Sequence, residues 1–433
     1  MNKIFIKTLG CDKNFADSEK IAAFLKDKNY KLTKNIDDAD FIFINTCSFI
    51  DEAKEESIET ILNFVEYRNN KSKEYKIIVA GCMVEIYKEE LKREIPEIDY
   101  YVKPGQYKYI DKILLGNIAD EDTESGFLGE NFPDMNLEDN VYKFVKVSDG
   151  CSLNCSYCII PKIRGKNKSK TLEGLRKELD FIKKNKHIKE IILVSQNLSY
   201  YGMDKNCNVL DLLDLIGEYN FFWKRLLYLD IRKINEKFLL SIKKNNILPY
   251  FDIPLQHIDN KVLEDMNRYY TYKDIMEKVK MIKNIFKNSI LRTTFITGFP
   301  TENKKAYKKL KEFIENNIFD KVGIFLYSHQ DKSLIAKKYD DIISEEEKII
   351  RFNQLSYIAE EKMMINLQKY VDNEFDILID QENAGRLWMD APDIDNKVII
   401  TKGEYEYGKV YRVKINNAYK YELEGEILYE KHT

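Results

Sequence analysis

The chain has 433 residues, 33% of them charged, and a formal net charge of −3. Such a length exceeds one ordinary core and implies two to four domains that fold without staples, while the near-neutral balance excludes a generic polyanion binder and an acidic tail protein. No run reaches the roughly 18 to 20 apolar residues that span a bilayer, and "MNKIFIKTLG" lacks the apolar stretch of a signal peptide, so a cytoplasmic protein with no membrane partner is expected. In that reducing compartment the seven cysteines point to metal or redox chemistry rather than disulfides.

The first hundred residues alternate apolar strands with helical patterns. "KIFIKTLG", "FIFINT" and "YKIIVAG" read as strands. Helical periods follow them at "FADSEKIAAFLKDKN", at 50–67 and at 84–94. This βαβαβα order predicts parallel strands covered by helices. Cys11, Cys47 and Cys82 each fall just past the C-terminal end of one strand, the edge where open parallel sheets collect ligands. One such cysteine would read as a packed small residue; three at one register of successive units read as a gathered trio.

From 117 to 140 the text turns acidic, with eight Asp or Glu and no Lys or Arg, as expected of an exposed linker. Alternation then resumes with six strand candidates: "YKFVKVS", "EIILVSQ", "LLYLDIR", "LPYFDIPL", "ILRTTFITG" and "KVGIFLYS". Helical patterns such as "LEGLRKELDFIKKN" lie between them, so a part-barrel of about six βα units is expected, its chemistry on the C-terminal rim. A charged helical pattern over 344–370 closes this region. Five short period-two segments after it predict a small β-barrel. The fold class is therefore α/β: an N-terminal parallel α/β domain (1–116), the linker (117–140), a βα part-barrel (141–366) and a five-stranded β-barrel (367–433).

Three cysteines crowd the first rim loop, "DGCSLNCSYCIIPKIRGKNKSK". A structural zinc site wants four ligands, and the chain has only four histidines, none at a paired spacing. The spacing of Cys151, Cys155 and Cys158 instead fits a cubane iron–sulfur cluster with one iron free of protein. The basic run after it, "KIRGKNKSK", reads as a solvated rim that attracts substrate or as a phosphate-binding patch.

This loop, with Tyr157 before its last cysteine and a strand before its first, resembles the signature of the radical S-adenosylmethionine superfamily. Together with "TLGCDKNFADSE", "NTCSFIDEAKEESI", "AGC" and the terminal barrel, it resembles the methylthiotransferase family from end to end. The resemblance implies two [4Fe–4S] clusters, an auxiliary one on Cys11, Cys47 and Cys82 and a radical-generating one on Cys151, Cys155 and Cys158. It also implies S-adenosyl-L-methionine as methyl donor and radical source, a TRAM-like last domain, a flavodoxin or ferredoxin reductant and an unspecified sulfur donor. Tyr157, Gln196, Gly298 and Glu302 are its implied S-adenosylmethionine contacts, and His257 an implied substrate contact. No acid–base dyad is needed, so none is nominated.

One branch of that family modifies tRNA adenosines and another a ribosomal protein. "GCDKNFADSE", "YFDIPLQHIDNKVLEDM" and "GRLWMDAPDID" resemble the second branch, which implies insertion of a methylthio group at the β-carbon of an aspartate in small-subunit ribosomal protein twelve, free or on the ribosome. The tRNA activity is the alternative. From Leu367 onward nine Lys or Arg face fourteen Asp or Glu, a balance that suits a basic protein better than a phosphate backbone. The chain departs from the branch at "SQNLSYYG" and at Thr301.

Overall fold

The computed structural model describes residues 2–71, 74–116, 137 and 139–431, so the acidic stretch expected to be a linker lies largely outside the described residues. Among them the N-terminal strands are β1 (Lys3–Thr8), β2 (Lys31–Leu32), β3 (Phe41–Thr46), β4 (Lys76–Gly81) and β5 (Tyr100–Val102). They form one parallel sheet in the order β2-β1-β3-β4-β5. The three expected strands sit side by side within it, and the two extra strands are too short to leave a period in the sequence. Helices Asp12–Asp27, Asp51–Lys71 and Cys82–Glu94 follow β1, β3 and β4.

The central strands are β6 (Tyr142–Lys146), the short pair β7 (Ser148–Asp149) and β8 (Lys168–Ser169), then β9 (Glu190–Val194), β10 (Trp223–Leu226), β11 (Tyr250–Asp252), β12 (Ile290–Thr297) and β13 (Lys321–Leu326). Two parallel three-stranded sheets, β6-β9-β10 and β11-β12-β13, meet where Leu248 N–H donates to Lys224 O and Leu229 N–H to Asp252 O, both at 2.8 Å. The result is a six-stranded part-barrel. Alternate residues divide its two faces: Ile191, Leu193 and Phe251 pack toward the outer helices, and Ile192, Val194 and Tyr250 line the interior. The third unit differs from the expected "LLYLDIR": the strand ends at Leu226, because Tyr228 turns to φ +61° and the chain then forms a 3-10 turn at Ile231–Lys233.

A helix, Glu345–Gln368, leads into β14 (Glu374–Ile379), β15 (Ala384–Leu387), β16 (Lys397–Lys402), β17 (Val410–Tyr419) and β18 (Glu422–Lys431). These close as a barrel in the order β14-β15-β16-β18-β17. The segment after β15, which carries "WMDAPDID", seals the N-terminal mouth of the part-barrel. Arg386 is 2% exposed and pairs with Asp380 and, at 2.8 Å, with the fully buried Glu190 that opens β9. Lys321 pairs with Asp390 and, at 3.2 Å, with Asp395; Tyr250 donates to Asp395 at 2.6 Å. Three acids and one base of the last domain are therefore consumed inside the joint, leaving eight bases against eleven acids outward.

The helix Asp12–Asp27 lies along β6. Asp17, fully buried, pairs with Lys146 and, at 2.5 Å, with Arg164; Glu19 pairs with Lys143 at 2.6 Å and Lys20 with Glu178 at 3.2 Å. Buried charges are tolerated only when paired, so these contacts fix how the first sheet seats on the part-barrel.

Arg386→Ala leaves Asp380 buried without its cation and Glu190 with Arg225 alone. A loss of about 3–5 kcal/mol is expected in chemical denaturation, whereas Arg176→Ala, at an exposed ion pair on a helix of the part-barrel, is expected to leave the denaturation midpoint nearly unchanged.

Candidate active site

Because β1, β3 and β4 are neighbours, the residues just beyond them converge: Cys11 at the N-cap of Asp12–Asp27, Cys47 after β3, and Cys82 as the first residue of its helix. Gly10, at φ +84°, makes the approach possible; a Cβ there would stand 2.5 Å from Cys47 Cβ and 2.9 Å from its Sγ. Asn14 ties the loops together, donating to Leu9 O at 3.1 Å and to Thr46 O at 3.0 Å. Burial, and then the neighbouring Cys11 and Cys82 thiols, push the Cys47 thiol up to about 12. Burial also raises Cys82, against the opposing Arg164 guanidinium.

The second trio sits on the loop between β7 and β8, whose antiparallel pairing, Ser148 with Ser169 and Asp149 with Lys168, clamps its root. Gly150, at φ +75°, crosses the clamp where a Cβ would stand 2.3 Å from Lys166 O. The tip is held by Ser156, whose N–H donates to Met266 O at 3.1 Å and whose hydroxyl donates to Asp265 O at 2.6 Å. Cys158 Sγ accepts from Ile160 N–H at 3.4 Å, and Arg268 Nη1 donates to Cys155 Sγ at 3.5 Å. Burial raises both Cys151 and Cys158.

The elements that carry the two trios pack against each other. Cys82 and Ile86 share one apolar cluster with Ile159 and Ile163, one and five residues beyond Cys158. Across the cleft, Tyr228 donates to Asp12 Oδ2 at 2.9 Å, and Lys13 Nζ stands 3.3 Å from the centre of its ring. All six cysteines are free thiols. Among the described residues no three His, Cys, Asp or Glu side chains converge as one metal ion requires. After burial, neighbouring thiols of the same trio nevertheless add to the upward shifts of Cys47 and Cys82 and of Cys151 and Cys158. Soft sulfur donors set apart around a common space, with a guanidinium beside one of each three, fit a multi-iron cluster of net negative charge.

The remaining expected contacts lie on the same rim but differ in what they offer. Ser195 Oγ, Gln196 Oε1 and Asn197 Oδ1 are buried acceptors with no hydrogen-bond partner among the described residues, a cradle suited to a polar ligand. Tyr157 packs beside Phe299, Met266 and Val262. Gly298 N–H donates to Glu302 Oε1 at 3.1 Å, and Arg351 donates to the same oxygen at 2.7 Å. His257 is fully buried: its Nδ1 accepts from Asp259 N–H at 2.9 Å, and its Nε2 lies 3.2 Å from Glu302 Oε2. Both its ring nitrogens are engaged, so it offers no free polar atom to a substrate.

The basic run "KIRGKNKSK", expected to be a solvated rim, is in part interior: Arg164 is 2% exposed, and Lys170 is fully buried against Glu178 at 2.6 Å. Two polar residues, Arg268 and Asp230, and the buried role of a third, Arg164, escaped the sequence reading. Arg164 and Arg268 bear on cysteine sulfurs, and Asp230, 1% exposed, is gripped by Arg232 and held below the usual carboxylate range by Arg232 and Arg268 despite burial that would raise it. None stands at a motif spacing; only the fold brings them to the thiols.

Comparison with known proteins places three segments. Residues 3–103 match Uncharacterized protein family UPF0004, 145–314 the Radical SAM superfamily and 371–428 the TRAM domain. The chain is similar to the ribosomal protein uS12 methylthiotransferase RimO of Clostridioides difficile, at 37% identity over 99% of this chain and 100% of that one. It is similar to those of Petrotoga mobilis, at 36% over 99% and 100%, and Aquifex aeolicus, at 35% over 98% and 96%. Among solved structures it is similar in fold to TsrM, a radical S-adenosylmethionine methyltransferase from Kitasatospora setae, with a TM-score of 0.56 and 12% identity over 75% of this chain and 73% of that one. It is likewise similar to the cobalamin-dependent S-adenosylmethionine radical enzyme OxsB, with a TM-score of 0.54 and 14% identity over 83% and 56%.

Two outcomes follow from this geometry. Gly10→Ala forces a side chain into Cys47 at a left-handed backbone position and is expected to cost about 2 kcal/mol or more in urea denaturation. Glu302 is held below its ordinary range: burial would raise it, but the bonds from His257, Arg351 and Gly298 N–H prevail. A carboxyl depressed by folding adds stability that is complete above its unfolded value, about 4.3, and lost as pH falls through the folded value. Glu302→Gln is expected to flatten the acid limb of stability below about pH 4.3; an unaltered limb contradicts the assignment.

Proposed function

The chain belongs to the ribosomal protein uS12 methylthiotransferase RimO family, and on that footing we propose that it inserts a methylthio group at the β-carbon of an aspartate in ribosomal protein uS12. The observation that carries this reading is the pair of three-thiol sites on elements packed against each other. A hydrogen-abstracting site alone initiates a radical; sulfur insertion needs a second soft-ligand site within reach of the same carbon. The relatives named above all bear the ribosomal-protein activity in their names, which sets the tRNA alternative aside.

We assign the radical-SAM [4Fe–4S] cluster to Cys151, Cys155 and Cys158, and a second, sulfur-bearing cluster to Cys11, Cys47 and Cys82. Such a cluster, reduced and with S-adenosylmethionine bound, supplies a 5′-deoxyadenosyl radical able to take a hydrogen atom from carbon. The chain's own residues do the rest. Cys11 caps one helix and Cys82 opens another, so the positive ends of two helix dipoles lie beside the auxiliary site. Arg268 supplies positive charge beside Cys155, and Ser195, Gln196 and Asn197 offer acceptors to the sugar and amino groups of S-adenosylmethionine. The Tyr228–Asp12–Lys13 contact narrows the cleft between the two sites and helps exclude water from it. Divisions at 116, 141 and 367 are assigned to the domains that carry these parts, and flavodoxin or ferredoxin is the proposed reductant. No helix among the described residues is long and apolar enough to cross a membrane.

The test is mass spectrometry of uS12 incubated with the reconstituted enzyme, reductant, sulfide and S-adenosylmethionine. The expected product is heavier by one methylthio group. Unmodified uS12 alongside a modified tRNA adenosine would overturn the assignment. Iron analysis separates the sites: about eight irons per chain in the native protein and about four after Cys11, Cys47 and Cys82 are changed to Ala. That variant is expected to retain cleavage of S-adenosylmethionine and lose the methylthio product.

A further inference from the structure

The cation nearest the N-terminal thiols comes from the opposite domain. Arg164 lies six residues beyond Cys158, on the short helix Ile160–Arg164, yet its Nη2 stands 3.6 Å from Cys82 Sγ and donates to Asn14 Oδ1 at 2.6 Å. Its Nη1 donates to Asp17 at 2.5 Å and lies 3.5 Å from Asp149. Asn14 has its amide committed to Leu9 O and Thr46 O, next to Cys11 and Cys47, so its carbonyl is aimed at the guanidinium rather than free to turn. A planar fork is required here: one end grips carboxylates and the other reaches sulfur, which a lysine's single point of charge does not do.

A buried N–H donor and a full positive charge beside a ligand sulfur stabilise the more negative oxidation state of an iron–sulfur cluster and so raise its reduction potential. The effect is strong where the guanidinium is out of water. We propose that Arg164 is a positioning residue that donates to the Cys82 thiolate and sets the reduction potential of the auxiliary cluster; this rests on the reading that Cys11, Cys47 and Cys82 hold one. The same side chain reaches Asp149, whose Oδ1 accepts from Gly150 N–H, immediately before Cys151. The radical-generating loop thereby carries the residue that tunes the sulfur-bearing site, and displacement of that loop would alter the potential of the other cluster.

A purely structural Arg164 would act only by tying Asp17 and Asp149, and the test separates the two roles. In a background with Cys151, Cys155 and Cys158 changed to Ala, which leaves one cluster to observe, the midpoint potential is read by redox titration under electron paramagnetic resonance. Arg164→Gln is expected to shift the midpoint to more negative values, and Arg164→Lys to shift it less. Asp17→Asn, which breaks the same tie but leaves the cation beside Cys82, is expected not to shift it negative. An unchanged midpoint in an iron-replete Arg164→Gln protein overturns the proposal, as does an equal negative shift in Arg164→Gln and Asp17→Asn. Should Arg164→Gln hold no iron, an unshifted Arg164→Lys overturns it and a negatively shifted one supports it. A background protein that assembles no cluster at all refutes the reading of the thiol trio itself, a failure distinct from that of Arg164.

Discussion

Asp17 is a fully buried carboxylate whose partners, Lys146 and Arg164, both come from the part-barrel. Taking such a charge out of water costs several kcal/mol unless the partners arrive in register. The helix Asp12–Asp27 therefore has little freedom to slide on β6, and that helix begins at Cys11. Because the register of the first sheet fixes Cys47 and Cys82 relative to Cys11, one ion-pair cluster determines where all three thiols stand relative to the loop of Cys151, Cys155 and Cys158. The same logic operates at the other mouth of the part-barrel, where Arg386, Asp390 and Asp395 seat the last domain on Glu190, Lys321 and Arg292.

The function demands this rigidity. In the proposed reaction hydrogen abstraction and sulfur delivery act on one carbon, so the two thiol trios proposed to hold clusters must keep a fixed separation. Rigid strand ends supply the positions, glycines at left-handed backbone angles let loops approach sulfur, and helix N-termini with two buried guanidiniums offset the negative charge that thiolates bring. His257 and Glu302 belong to this frame, bracing the turn after β11 against the turn after β12.

Much of this arrangement is legible in the sequence because it is local. The alternation of strands and helices puts Cys11, Cys47 and Cys82 at neighbouring strand ends, and the tight spacing of Cys151, Cys155 and Cys158 marks their loop without any tertiary knowledge. What escapes is non-local. Arg164 meets Asp17 across 147 residues, and nothing in "KIRGKNKSK" distinguishes its buried arginine and lysine from its solvated ones. The acidic segment after β15 reads as surface composition, but its carboxylates find partners on four strands of the part-barrel: the cations Arg292 and Lys321 and the hydroxyls of Tyr142 and Tyr250. The third strand is misplaced for a related reason: "LLYLDIR" is apolar enough for a strand, and only the turn at Tyr228, drawn toward Asp12, ends it early.

The opposition of the two sites is most directly tested by electron paramagnetic resonance of the doubly loaded, reduced protein, compared with the two variants that each keep one cysteine trio. Clusters held face to face across the cleft are predicted to couple magnetically, so the native spectrum differs from the sum of the two single-site spectra. A native spectrum equal to that sum would contradict the arrangement and, with it, delivery of sulfur to the carbon from which hydrogen is taken.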